Sequence, residues 1–517
     1  MSLLLVLGVS FGLCVFVMPL AKILATRIGL VDRPDGRRKI HSRPIPMAGG
    51  LSILIASSAT LALAPLLFES LQASLDTERF RLFGLALASI AICAIGIADD
   101  RGCLRGRHKL IGQILAAFLL IQFDWTVRSL SFFGWHMDLG MMAVPFTICW
   151  LLAAINSLNL IDGMDGLLGT VGLILCAGLA TLAAFDERWA MAYVAVALAG
   201  ALLGFLRYNF PPANAFLGDA GSMLIGLVVG ALALQCGQGD ALGGSSVPLV
   251  IPIAFLTIPF LDTAAAIVRR KLTGRSVYTT DRGHLHHCLL RRGYSPRGAL
   301  LWVALLCLIC VGGGLVGAIV GQEWIAILVS TTVIAGLIAT RMFGDAEFLL
   351  VRDRGHDMTL SLLRVPAESS GRQRVVRLQG TVDWAELWCN FIAGSEHLNL
   401  VMIRLNVNAP ALHEGYHARW DNAHENGEDK TVWRAEIPLI AEGHLLGRLE
   451  VIGLQDQEPV RDKMDALLKL VEYFEAEAAD LIQAKTVPTA PLVNGKTEGE
   501  PQPEVKAASV ESVAAQA

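Results

Sequence analysis

Eleven apolar runs, each near the ~20 residues a helix needs to cross a bilayer core, fill the first two thirds of the chain and leave few folds open to it. They lie at 3–25, 48–68, 81–98, 110–123, 141–158, 167–185, 189–206, 217–236, 247–268, 298–319 and 323–341. In lipid, backbone amides must be satisfied within the segment itself, so runs of this length read as helices. With 54% hydrophobic residues among 517 and a mean hydropathy of +0.54, an ordinary water-soluble fold is excluded. The fold expected is an all-α polytopic membrane protein of about 11 transmembrane helices over 1–341, followed by a soluble α+β domain over 342–485. The first run lacks a basic leader and a small-residue cleavage site, so it reads as a retained helix.

Loop charge orients the spans. Lys and Arg number twenty on one side, counted with adjoining span ends, against four on the other (Arg79, Arg81, Arg128, Arg188). The basic side is cytoplasmic by the positive-inside rule, which places the N-terminus outside and residues after 341 inside. Because the basic residues flank membrane spans, they give no reason to expect a nucleic-acid partner. Ten scattered cysteines, seven of them within apolar runs, form no CxxC pair. They predict neither a disulfide framework nor a zinc site.

Four polar clusters fall on that cytoplasmic side. The stretch NSLNLIDGMDGL, residues 156–167, carries Asn156, Asn159, Asp162 and Asp165, with Gly163 and Gly166 each following an aspartate. If it is helical, Asn156, Asn159 and Asp162 share a face at spacings of three. Ionisable groups at a membrane boundary are costly and mark a site; the bland alternative is a helix-capping loop. Asp99-Asp100 closes the third span. Adjacent carboxylates repel, and a metal ion or a cation such as Arg101 or Lys109 would relieve them; one could also serve as a general base. Capping does not explain them, since acids at a helix C-terminus oppose its dipole.

The stretch RYNFPPANAFLGDAGSM, residues 207–223, places Asp219 at a helix start, where it is either an N-cap or part of a phosphate and metal site. Asn209 and Phe216 on the same loop are candidates for touching a nucleobase. In DRGHLHH, residues 281–287, the histidines His284, His286 and His287 suggest zinc at first sight. No acidic or Cys partner follows at the usual spacing, however, and His286 and His287 cannot easily both ligate from a regular helix. Among Arg269, Arg270 and Arg282, imidazoles that hold diphosphate oxygens fit better. Finally, the loop DRPDGRRKIHSRPIPMAGG, residues 32–50, offers Lys39 as a phosphate-holding candidate; the alternative is a positive-inside anchor. Clusters from distant parts of the chain on one face predict a single cytoplasm-facing site.

In this order and disposition the motifs resemble the polyprenyl-phosphate N-acetylhexosamine-1-phosphate transferases, a glycosyltransferase 4 type, over residues 1 to about 341. The basic loop is similar to the branch that loads GlcNAc-1-phosphate, while HLHH departs from an uninterrupted histidine triplet and from that branch's usual form. The resemblance implies transfer of N-acetylhexosamine 1-phosphate, GlcNAc-1-phosphate by branch, from its UDP-sugar to undecaprenyl phosphate. UMP is released, with Mg²⁺ (or Mn²⁺) as cofactor, to start a lipid-linked cell-envelope glycan at the bacterial inner membrane. By motif, Asp219 resembles the magnesium-binding carboxylate, and Asp99 the base for the lipid phosphate with Asp100 beside it, both also near the metal. Asn156, Asn159, Asp162, Gly163 and Asp165 fall in the nucleotide-binding set, Asn209 and Phe216 match its uridine contacts, and His284, His286, His287 and Arg282 lie in the diphosphate region. Undecaprenyl phosphate, UDP-N-acetylhexosamine, membrane lipids and a second copy in a homodimer are the partners expected. The alternative is a transporter or lipid flippase with a cytoplasmic polar gate, whose site would lie nearer the membrane midplane.

Past residue 342 the pattern changes. Alternating runs at 374–379, 398–405, 431–440 and 445–452, with helices at 382–394 and 459–484, predict a module of regulatory or partner-binding character. Residues 486–517 have the composition of a disordered tail. Weak alternation over 124–140 predicts a small hairpin.

Overall fold

A computed structural model describes residues 1–33, 44–63, 65, 69–235, 247–272, 283–345, 347–348, 351, 372–379, 384–409, 414–421, 432–441, 443–455 and 459–486. Lys39 and Arg282, the predicted tail past 486 and most of the basic loop lie outside these residues.

Helices α1 (Ser2–Arg27), α2 (Gly49–Leu63), α3 (Glu69–Thr77), α4 (Arg79–Asp100) and α5 (Gly106–Gln122) are followed by a hairpin, β3 (Ser129–Phe132) and β4 (Trp135–Asp138), where one was expected. Two short strands, β1 (Val31–Asp32) and β2 (Ile45–Pro46), pair ahead of α2. Then come α6 (Ala143–Ile161), α7 (Leu167–Phe185), α8 (Trp189–Asn209) and α9 (Gly218–Gln235). After them follow β5 (Val247–Pro248), α10 (Val250–Phe255), α11 (Thr257–Leu272), α12 (Leu285–Arg291), α13 (Pro296–Val320) and α14 (Glu323–Ala339). The molecule is a multi-pass membrane protein. Seven helical segments are long and apolar enough to cross a bilayer on length and composition, and α2 and α14 are shorter apolar helices.

The ninth predicted run is not one helix. Pro259 has no N–H to give the carbonyl of Phe255, so the ladder breaks there and α10 and α11 meet at Leu256. Elsewhere the ends follow local chemistry. Ser295 caps α13 by accepting from Gly298 N, with Pro296 in the first position, and Gly321 ends it in the left-handed region at φ +69°.

Helix α9 is the centre of the bundle: every residue from Ala220 to Gln235 is buried. Its start is gripped by α4. A Cβ on Gly96 would lie 2.3 Å from Ala220 Cα, so only glycine admits this approach. Whatever the first turn of α9 carries is therefore held in a fixed place.

Beyond residue 371, strands β6 (Arg372–Gln379), β7 (Leu400–Ala409), β8 (Glu414–Asp421), β9 (Val432–Ala441) and β10 (His444–Leu454) form an antiparallel sheet in the order β6-β8-β7-β10-β9. Helices α15 (Trp384–Ser395) and α16 (Val460–Thr486) join it in a separate apolar core around Trp388, Ile403, Leu405, Val451 and Leu467. Alternate residues of β7, β8 and β10 carry polar pairs: Asn406 with His417 at 2.5 Å, Arg404 with Glu450 at 2.9 Å and Arg419 with Asp421 at 2.9 Å. Burial, then Arg404 and Arg419, pushes the His417 imidazole down to about 4.

Candidate active site

The C-terminal end of α4, the N-terminal turn of α5, the C-terminal end of α6 and the N-terminal turn of α9 meet at one end of the bundle. Lys109 on α5 is their hub. Its ammonium lies 2.8 Å from Asp99 Oδ2 and 3.0 Å from Asp219 Oδ2, and it donates to Asn159 Oδ1 at 3.2 Å. Asn159 in turn donates to Asp219 Oδ1 and to Ser222 Oγ, both at 2.7 Å. Asp219 is thus held by a cation and an amide. It does not cap its own helix.

Asp100 does the capping. Its two oxygens accept from Asp219 N at 2.8 Å and Ala220 N at 3.3 Å, so a carboxylate from α4 satisfies the first amides of α9 and complements its dipole. Asp100 was expected beside Asp99 at the reaction centre. The two neighbours in sequence instead have different partners, because consecutive helical residues point ~100° apart.

The rest of the amide and carboxylate stretch divides likewise. Asn156 turns into the bundle and exchanges hydrogen bonds with buried Gln113, at 2.9 and 3.3 Å, away from Asp219. Asp165 accepts from Ala213 N at 2.9 Å, and buried Asn209 accepts from Gly166 N and donates to Ala215 O, each at 2.9 Å. These two side chains bracket the α6–α7 turn to the α8–α9 loop. Phe216, half-buried on that loop, exchanges backbone hydrogen bonds of 3.0 Å with Pro46 O and Gly49 N. The described end of the basic loop therefore lies against the site.

Asp162, past the end of α6, is half-buried. Burial first, then Asp219, Asp100 and Asp165, pushes its carboxyl up to about 8. Next to it, Gly163 leaves room for a ring: a Cβ there would come 2.4 Å from His286 Nε2. His286 is 2% exposed, and neither ring nitrogen has a hydrogen-bond partner among the described residues. Burial and the neighbouring His287 push its pKa down to about 3, so the ring is neutral. His284 and His286 lie nearly parallel with centroids 6.1 Å apart, and His287 is 4.2 Å from His286. The three histidines therefore form one cluster against the Asp162–Gly163 turn.

Sequence reasoning passed over Lys109 except as a counter-cation for the Asp pair, and missed Ser222 and Asp262. Asp262, 1% exposed on α11, accepts from Leu285 N at 2.8 Å and pairs with His284 Nδ1 at 2.8 Å. A lone carboxylate inside the ninth apolar run was the available signal.

Among the described residues no three His, Cys, Asp or Glu side chains are close enough to form a metal cage. The donors present, Asp99 and Asp219, are hard carboxylate oxygens already sharing one cation, the Lys109 ammonium. That set suits Mg²⁺, which takes one or two protein carboxylates and completes its shell with phosphate oxygens and water.

Fold and site define a polytopic membrane protein with a polar, acid-rich cluster at one end of its helices. Residues 82–237 match the family model described as glycosyl transferase family 4. A probable undecaprenyl-phosphate N-acetylglucosaminyl 1-phosphate transferase of Bacillus subtilis is 32% identical over 300 residues, 58% of this chain and 80% of the relative. A decaprenyl-phosphate N-acetylglucosaminephosphotransferase of Mycolicibacterium smegmatis is 34% identical over 312 residues, 55% and 75% of the two chains. The undecaprenyl-phosphate alpha-N-acetylglucosaminyl 1-phosphate transferase of Yersinia pestis is 28% identical over 340 residues, 64% and 89%. The chain belongs to glycosyl transferase family 4.

Proposed function

We propose that the protein transfers GlcNAc 1-phosphate from UDP-GlcNAc to undecaprenyl phosphate, releasing UMP and starting a lipid-linked cell-envelope glycan. The observation that carries this reading is the junction of Asp99, Lys109, Asn159 and Asp219, from four helices of a family 4 chain, at one end of the bundle. Both substrates are phosphoesters. Their meeting needs positioned cations and fixed dipoles more than covalent chemistry. A site at helix ends receives a lipid phosphate from the leaflet surface and a nucleotide from water, whereas a transporter gate would sit deeper.

In this reading an oxygen of the lipid phosphate attacks the β-phosphorus directly. The bond from that phosphorus to the α–β bridging oxygen breaks, and UMP leaves with that oxygen. Asp99 accepts the lipid phosphate's proton. Lys109 offsets phosphate charge, Asn159 and Asp162 face the nucleotide, and the neutral ring of His286 is available to the diphosphate. Asp219, with Asp99, would hold Mg²⁺ or Mn²⁺, which when bound neutralises charge on the diphosphate. Asp100, Asp165 and Asn209 keep the walls in place. Eleven spans with the pocket and the C-terminal module on the cytoplasmic side of the inner membrane complete the arrangement; the sheet beyond residue 371 is a regulatory or partner-binding unit.

The test is transfer of radiolabel from UDP-GlcNAc to undecaprenyl phosphate by the purified full-length protein, with UDP-GalNAc in parallel. Turnover of UDP-GlcNAc, its abolition by EDTA and an inactive but folded Asp219→Ala protein are expected. Failure to consume any UDP-N-acetylhexosamine would refute the reaction, and sole use of UDP-GalNAc would refute the sugar.

A further inference from the structure

Among the described residues, Asp262 is the carboxylate whose two oxygens both serve the histidine turn. Oδ2 pairs with His284 Nδ1 and Oδ1 accepts from Leu285 N, each at 2.8 Å. Leu285 is the first residue of α12 and His284 its N-cap, whose own side chain makes no capping bond. The first amide of α12 would otherwise be buried without a partner, at a cost of about 1–3 kcal/mol. A buried carboxylate is itself tolerable only when fully hydrogen-bonded, and here two donors meet it.

The pairing also settles which way the imidazole faces. With Nδ1–H given to the carboxylate, the neutral form of the ring has Nε2 as its acceptor. Two residues on, His286 lies parallel to His284, its Nε2 pressed against the Gly163 backbone. The placement of His286 under the Asp162–Gly163 turn therefore follows from where Asp262 holds His284. From the opposite side, the Arg269 guanidinium packs beneath Gly283, where a Cβ would approach it at 2.5 Å.

We infer that Asp262 is a positioning residue for the reaction: it fixes the tautomer of His284 and the start of α12, and through them the seat of His286. The inference rests on the transferase reading for its kinetic test but not for its structural one. Asp262→Asn keeps an oxygen for Leu285 N while presenting an N–H to His284 Nδ1, which forces the other tautomer. Asp262→Ala removes both bonds.

In the full-length protein, Asp262→Asn should melt near the wild-type temperature and lose about 10- to 100-fold in kcat, the usual scale for an outer-shell partner. KM for the UDP-sugar should change by less. His284→Gln should lose a similar factor, and the double variant should be no worse than His284→Gln alone. Losses that multiply would overturn the inference, since Asp262 would then act independently of His284. Hydrogen exchange reads the same point without turnover. The amides of 285–288 should exchange faster in Asp262→Ala and near the wild-type rate in Asp262→Asn; unchanged exchange in Asp262→Ala would remove the clamp. If the wild-type protein turns over no UDP-sugar, the reaction falls while the exchange result still decides the clamp.

Discussion

Replacing Lys109 by Gln removes the charge at the centre of the site and keeps a side chain of similar reach. Asp99 Oδ2 and Asp219 Oδ2 lie 2.8 and 3.0 Å from the ammonium, so they are at most about 6 Å apart. At an effective dielectric of ~20, two negative charges at that distance repel by about 3 kcal/mol. Removing one partner of a fully buried pair costs about 3–5 kcal/mol. These side chains keep 17–32% of their exposure, and screening brings the expected loss to about 2–3 kcal/mol. The assay is thermal unfolding of the purified protein in nanodiscs, first in EDTA and then with millimolar Mg²⁺. In EDTA the variant should melt several degrees below wild type. Mg²⁺ should recover more of the variant's stability than it adds to wild type, because a divalent cation takes the place of the missing ammonium. Turnover should fall by about 30- to 160-fold, the rate equivalent of about 2–3 kcal/mol if the ammonium stabilises the transition state as much as it does the fold. A variant that melts with wild type in EDTA would refute the electrostatic account of the site.

Gly163→Ala drives a methyl into His286 Nε2, which a buried ring cannot yield to freely; overpacking on this scale costs about 1–3 kcal/mol. A 10- to 100-fold fall in kcat/KM is expected, and a wild-type value would show that His286 does not depend on this seat. Asn209→Ala orphans Gly166 N and Ala215 O, so the melting temperature should drop by the equivalent of about 1–3 kcal/mol per group, measured beside Asp165→Ala, which frees only Ala213 N. The sheet beyond residue 371 should be acid-sensitive. Burial, Arg404 and Arg419 hold the folded His417 imidazole down at about 4, against about 6.5 for an ordinary histidine, so the unfolded chain binds the extra proton first. Stability is therefore intact above about pH 6.5 and is lost as pH falls towards 4, by up to about 3 kcal/mol. Melting of residues 372–486 followed by hydrogen exchange against pH checks this, and His417→Gln should flatten the profile.

Apolar runs are legible from sequence because a bilayer sets their length, and most of the predicted runs match helices closely. The break at Phe255–Thr257 was legible too, in Pro259, but hydropathy averages across a proline. Strand β8 went unread because Glu414–Asp421 is largely polar; it lies between β6 and β7, and of its residues Tyr416 and Ala418 enter the core. In the site, several of the predicted stretches meet at one end of the bundle, but the partners of their individual members were not legible. Asp99 and Asp100 are neighbours in sequence, yet one pairs with Lys109 and the other accepts from the first amides of α9. Asn156 and Asn159 share a helix, yet one meets Gln113 and the other Asp219. Such choices depend on which neighbouring helix lies opposite, and that follows from close approaches such as Gly96 on Ala220, between positions more than a hundred residues apart.

Those approaches also explain how a membrane bundle tolerates so many acids together. Each carboxylate on the pocket's walls is satisfied by a group from another element: Asp100 by amides of α9, Asp165 by the α8–α9 loop, Asp262 by α12. These bonds offset part of their charge, but Asp100 and Asp165 still repel Asp162 alongside Asp219, so the cluster as a whole would gain from a cation. The same logic extends past the last span. Buried Arg269, packed beneath Gly283, is ion-paired with buried Glu347, and Arg292 donates to the carbonyl of Arg341. The segment leaving α14 is thus bonded to both flanks of the histidine turn.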